Sequence, residues 1–125
     1  MDIQGSENHR YLILLYEAAG TALLMIALNF GQANGLVAVT VSLTLFIATV
    51  FFSPFTGGNF NPAVTIGTLI YKGFDDDLGN NNFWFALLMV FAQIFGAAIG
   101  IIFVLLGIKI TEAGSDPEIF IMQHP

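Results

Sequence analysis

Residues 57–65, Gly-Gly-Asn-Phe-Asn-Pro-Ala-Val-Thr, hold the residue types with the clearest chemical potential in the chain. Asn61 and Pro62 suit a helix start, because asparagine is favoured at the cap and proline at the first helical position. The Asn61 side-chain oxygen would then accept a hydrogen bond from the N–H of Ala63 or Val64, which leaves its NH2 group as a donor. The helix N-terminus adds about half a positive charge there. The segment therefore predicts a site that attracts a neutral molecule with a lone pair and opposes a cation or a proton.

In a soluble protein the same residues would form an ordinary capped helix start. Here, however, no charged residue occurs between Glu17 and Lys72, a run far longer than the roughly 20 apolar residues of one membrane span. Irregular backbone at membrane depth is tolerated only where protein or a water-filled cavity covers it, and transporter folds place broken helices at such points. We therefore interpret Asn61, Pro62 and Ala63 as residues that orient a permeant in a pore.

The composition excludes an ordinary soluble domain, because 56% of the 125 residues are hydrophobic, 10% are charged and the mean hydropathy is +0.80. Three Lys and Arg residues against a net charge of −6 offer no basic surface for nucleic acid. There is no cysteine, and His9 and His124 lie near the termini, so we expect no metal, no cofactor and no enzyme activity. We predict an integral multi-pass protein of the plasma membrane or of an organelle such as the mitochondrial inner membrane.

Three long apolar segments each have about the length that spans a bilayer. They lie at about residues 11–30, 36–52 and 83–108. Pro54 is predicted to end the second helix, because the residue before a proline is pushed out of the α region. Residues 53–71 then have room for a loop and a helix of about 16 Å, half a bilayer. The predicted fold is an all-α membrane protein with three transmembrane helices and one re-entrant half-helix, with a solvated loop at 72–82 and a loose acidic tail at 109–125.

Glu17 lies about two turns into the first helix, where an ionisable residue is costly and usually faces the bundle interior with a partner. We hypothesise that its carboxylate accepts hydrogen bonds from the irregular loop that begins at Gly57 and Gly58, whose N–H groups otherwise lack partners. Gln93 in the third helix would brace the loop from the other side. The alternative is a first helix that starts later, with Glu17 at the membrane interface. Three glycines are expected to allow close helix packing: Gly20, Gly96 and Gly100.

Three segments together resemble the aquaporin and glycerol-channel (major intrinsic protein) family. Residues 17–21 match its first-helix Glu-x-x-Gly-Thr, residues 57–65 its Asn-Pro-Ala signature loop, and residues 92–100 its third-helix Ala-Gln-x-x-Gly-Ala-x-x-Gly. They occur in the family's order, and the resemblance covers most of residues 11–110. It implies a channel for water or small neutral solutes.

The sequence also departs from the family's pattern, which implies two inverted halves whose signature half-helices meet at the bilayer midplane. This sequence contains one half. It has no second Asn-Pro-Ala and no counterpart of the selectivity arginine that the family's second half supplies. Asn59 occupies the loop position usually held by histidine, which removes a titratable group. The filter position of the second helix falls near Val41, so the filter would lack an aromatic ring on this side.

A single half cannot enclose a pore, so a partner is expected: an inverted second copy, a separate second-half polypeptide or an unrelated membrane protein. A Lys and Arg imbalance of one permits insertion in both orientations without demonstrating it. The leading hypothesis is half of an aquaporin-like channel for facilitated diffusion, which works only when paired. The alternative is a non-conducting aquaporin-like structural subunit in a larger membrane complex, and a third interpretation is the N-terminal half of a longer product. The intact Asn61-Pro62-Ala63 favours conduction.

Overall fold

A computed structural model describes residues 7–72 and 79–114, which contain four helices and no strand. The helices are α1 (Glu7–Ala33), α2 (Val37–Thr56), α3 (Pro62–Lys72) and α4 (Gly79–Gly114). Three of them contain spans long and apolar enough to cross a membrane: His9–Ala33, Val37–Thr56 and Phe83–Thr111. The fourth, α3, has 11 residues and is too short to cross. The prediction of an all-α membrane protein with three long helices and one short one is confirmed.

The second helix does not end where the sequence predicted. Pro54 lies inside its last turn, and α2 continues to Thr56. A proline removes one hydrogen bond to the preceding turn, and close to a helix end little of the helix remains to be disrupted. Gly57 ends α2 instead: it adopts a left-handed conformation with φ 86°, and its N–H donates to Ser53 O at 2.9 Å. The connecting loop, residues 57–61, follows at once.

The last helix is longer than predicted at both ends. Because α4 runs over Gly79–Gly114, residues from the predicted loop at 72–82 and from the predicted tail at 109–125 are helical. The apolar span Phe83–Thr111 forms most of α4, and the helix continues beyond that span at both ends. The remainder of both predictions, at 73–78 and 115–125, lies outside the described residues.

The bundle is organised around α1, which packs against both α2 and α4, while α3 packs against α4. At Gly96 a Cβ atom would collide with the backbone carbonyl of Ala18, and at Gly100 it would lie 2.6 Å from Ala22 O. The α1 and α4 backbones therefore touch through these two glycines. Gly20 has a different function, because its missing side chain leaves room for the ring of Phe60 from the connecting loop.

The molecule is polar inside and apolar outside, the reverse of a soluble domain. Large apolar side chains are exposed along every helix, and the buried apolar residues among those described are few. The polar residues Glu17, Thr21, Thr65 and Gln93 are all buried. Lipid chains solvate apolar faces without cost, whereas polar groups need partners within the protein. This distribution suits a bilayer and concentrates hydrogen bonding in the interior.

The close approach of α1 and α4 makes Gly96→Ala destabilising, because the added methyl group would meet the Ala18 backbone, which cannot rotate away. We expect a loss of about 1–3 kcal/mol, typical of overpacking, measured as a lower thermal unfolding midpoint in detergent. Gly107→Ala is the matched control in the same helix, where nothing lies within 4 Å of the added atom. Equal midpoints for both variants would contradict the contact.

Candidate functional site

The connecting loop departs from helical geometry at three positions with positive φ: Gly57 at 86°, Gly58 at 71° and Phe60 at 47°. Glycine adopts this conformation freely, whereas a side chain there costs roughly 1–2 kcal/mol. Phe60 is held in it because its side chain is 2% exposed and fills the space beside Gly20. An edge-on contact with the ring of Phe52, with centroids 6.1 Å apart, fixes it further. Phe60 thus anchors the loop to α1 and α2.

The loop amides find their partner in Glu17, which is fully buried. Glu17 Oε1 accepts the N–H of Asn59 at 3.1 Å, and Oε2 accepts the N–H of Phe60 at 2.7 Å. One turn along α1, Thr21 Oγ1 lies 3.2 Å from Phe60 O and 2.8 Å from Glu17 O. The loop backbone is therefore bonded to α1 through both its donors and its acceptors.

The sequence predicts a direct contact between Gln93 and the loop, whereas in the structure Gln93 reaches the loop through Glu17 and Thr65. Its Nε2 donates to Glu17 Oε2 at 2.8 Å and to Thr65 Oγ1 at 2.8 Å, and no hydrogen bond joins it to the loop backbone. Thr65, buried at 2% exposure, also accepts a hydrogen bond from Asn59 Nδ2 at 3.3 Å. Sequence reasoning assigned no role to Thr65. The one sequence feature that could have indicated its role is its position four residues after the cap Asn61, a spacing that places two residues on the same side of a helix.

The start of α3 has the capping geometry that its sequence favours. Pro62 is the first helical residue, and the N–H of Ala63 donates to Asn61 Oδ1 at 2.9 Å. Asn61 is exposed, and within the described residues its Nδ2 has no hydrogen-bond partner. The side-chain NH2 is therefore an available donor beside the positive end of the α3 dipole.

A cavity of about 440 Å³ lies beside the α3 start. Four of the residues singled out by sequence line it: Val41, Asn59, Asn61 and Pro62. The rest of its lining is Thr21, Leu24, Met25, Leu28, Leu45, Phe60, Val64 and Ala97. The other sequence-predicted residues lie outside the lining: Glu17, Gly20, Gly57, Gly58, Ala63, Gln93, Gly96 and Gly100.

The cavity suits an uncharged guest. None of its lining residues carries a charge, and its polar groups come from Thr21, Asn59 and Asn61, against a largely apolar remainder. Over residues 7–72 and 79–114, no group of three or more His, Cys, Asp or Glu side chains could hold a metal ion. Chemically, the arrangement can hydrogen-bond a small neutral molecule and offers a cation no counter-charge.

Comparison with known proteins adds one finding. A family model described as MIP, Major intrinsic protein, matches residues 7–121. This range includes the Glu17 segment, the connecting loop and the Gln93 segment. No curated protein and no solved structure matches the chain.

Replacing Glu17 or Gln93 by alanine is expected to reduce folded protein more than selectivity. Glu17→Ala leaves two loop N–H groups and the Gln93 amide without their acceptor, at about 1–3 kcal/mol for each buried group left unpaired. The measurement is the monodisperse fraction after detergent extraction and gel filtration. Gln32→Ala is the control for Gln93→Ala, because Gln32 is an exposed glutamine at the end of α1. A normal folded yield of the Glu17 and Gln93 variants would contradict the bracing role.

Proposed function

The chain belongs to the major intrinsic protein family, and we propose that it supplies half of a channel for facilitated diffusion that works only when paired with a second half. The family implies a channel for water or small solutes, and its members are not enzymes. Together with the three apolar spans, it makes the chain an integral multi-pass membrane protein.

The observation that carries the proposal is the free donor of Asn61 on the cavity. The cap bond to Ala63 occupies Oδ1 and so holds the NH2 group in place at the helix N-terminus. A fixed donor beside a positive dipole end attracts the lone pair of a neutral solute and opposes cations and protons. Val41, at the predicted filter position, lines the same cavity and so belongs to the same proposed path.

The proposed second half is supported by what α3 leaves uncovered. It packs on α4, while Val64, Ile66 and Ile70 on its surface are 47%, 48% and 66% exposed. Lipid chains can solvate these apolar side chains, but they cannot satisfy the polar atoms of the exposed cap residue Asn61. A second half with its own half-helix, from another copy of this chain or from a separate chain, would cover this face and close the cavity into a pore.

The alternative is a non-conducting structural subunit docked in a larger membrane complex. It draws support from Val41, since an aliphatic side chain at the filter position offers less to define a narrow opening than an aromatic ring. In that case an unrelated membrane protein would cover the exposed face of α3. Conduction by the purified chain separates the two.

The test is osmotic shrinkage of liposomes that contain only the purified chain, compared with Asn61→Asp. Aspartate still accepts the Ala63 N–H and so keeps the cap, but it removes the donor and adds a negative charge. We expect shrinkage well above that of empty liposomes, with Asn61→Asp about 3- to 10-fold slower because one hydrogen bond to the permeant is lost.

Asn34→Asp is the control, because it adds the same charge at the exposed turn between α1 and α2, away from the cavity. It should shrink as fast as the unmodified chain. Permeability equal to that of empty liposomes would contradict conduction by this chain alone and favour the structural alternative.

A further inference from the structure

We infer that Asn59 is a second permeant-binding residue, which presents its side-chain oxygen to the cavity as an acceptor beside the Asn61 donor. The inference rests on the proposed function, since it names a further specificity-determining residue of the same path. It depends on which end of the Asn59 amide faces the cavity, and the observation that bears on this is the hydrogen bond from Asn59 Nδ2 to Thr65 Oγ1.

The chain of hydrogen bonds that leads to Thr65 starts from a group that here only accepts. The Glu17 carboxylate receives the N–H groups of Asn59 and Phe60, and its third partner is the Gln93 amide at 2.8 Å. An acceptor requires the NH2 end of Gln93, so Nε2 is directed at Glu17. The second hydrogen on the same Nε2 then reaches Thr65 Oγ1, also at 2.8 Å. Thr65 must therefore accept from Gln93.

Thr65 is also the hydrogen-bond partner of the Asn59 side chain. Its own proton has two acceptors, Asn61 O at 3.2 Å and Gln93 Oε1 at 3.3 Å, and with either one the lone pairs of Oγ1 remain acceptors. The Asn59 amide, 3.3 Å away, presents Nδ2 to Thr65, and the Thr65 proton is then available to Asn61 O or Gln93 Oε1. Asn59 Oδ1 has no hydrogen-bond partner among the described residues. Every buried side-chain nitrogen or oxygen of those residues has a partner, so Oδ1 is not buried and is accessible.

The two asparagines of the cavity are thus oriented in opposite senses. Asn61 uses Oδ1 for its cap and leaves Nδ2, whereas Asn59 uses Nδ2 for Thr65 and leaves Oδ1. Both line the same cavity, which otherwise offers mostly apolar groups. A donor and an acceptor together select small neutral molecules that can both accept and donate, such as water, over those that can only accept. Thr65 is the positioning residue for Asn59.

The orientation is tested by water exchange of the side-chain NH2 protons, measured by NMR on the 15N-labelled full chain in lipid nanodiscs. Asn59→Leu identifies the Asn59 signal by its loss. We expect the Asn59 protons to exchange about 3- to 10-fold more slowly than those of Asn61, because one of them is hydrogen-bonded. Thr65→Val should abolish the difference, and Thr65→Ser, which keeps the hydroxyl, should preserve it. Equal exchange in the unmodified chain, or no effect of Thr65→Val, overturns the assignment.

The permeant role is tested by water flux into liposomes that contain the full chain. Asn59→Leu, which keeps the number and branching of side-chain heavy atoms, should lower flux about 3- to 10-fold with unchanged helix content and gel-filtration profile. Asn34→Leu, at the exposed turn outside the cavity lining, should leave it unchanged. Unchanged flux in Asn59→Leu overturns the permeant role. Flux of the unmodified chain no greater than that of empty liposomes contradicts conduction by this chain alone and overturns this role with it. The exchange measurement then still decides the orientation of Asn59.

Discussion

The structure depends on one buried carboxylate. Between α2 and α3 the backbone leaves helical geometry, and its N–H groups need acceptors that lipid does not supply. Glu17, fully buried in α1, accepts two of them, at Asn59 and Phe60. An isolated carboxylate in such a place would be costly, and here three N–H donors compensate it, including the Gln93 amide. The loop N–H groups offset the cost of burying the carboxylate, and the carboxylate offsets the cost of leaving those N–H groups without backbone partners.

A second consequence is a division between residues that touch the cavity and residues that hold them. Asn59, Asn61 and Val41 line the cavity, while Glu17, Gln93 and Gly20 lie outside its lining. The glycines at the α1–α4 contact bring the two helices close enough for Glu17 and Gln93 to meet. Thr65 links the two sets, since its Oγ1 accepts hydrogen bonds from Gln93 Nε2 and from Asn59 Nδ2. A chain of hydrogen bonds thereby connects a buried acid to an amide that lines the cavity.

Much of this arrangement is readable from sequence where a local rule applies. Hydropathy predicts the three spans, and the Asn61-Pro62 pair predicts the start of α3, because capping depends on adjacent residues. The prediction that Pro54 ends α2 was wrong, since a proline rule does not state how much of a last turn can persist beyond it. The extent of α4 was missed because polar flanking residues can continue a helix that an apolar span has started. Thr65 and the fit of Phe60 beside Gly20 are tertiary contacts between distant segments, which no local pattern encodes.

The central claim is that the Glu17 carboxylate holds the connecting loop in place, and backbone amide hydrogen exchange of the full chain in lipid tests it most directly. Glu17→Gln keeps the volume but replaces one acceptor oxygen by a donor. Exchange at Asn59 and Phe60 should quicken by about 10- to 100-fold, as expected for the loss of hydrogen bonds to a charged group. Gly58 is an internal control, because its N–H donates to Thr56 Oγ1 at 2.9 Å and not to Glu17. Protection of Asn59 and Phe60 that persists in Glu17→Gln would contradict the account.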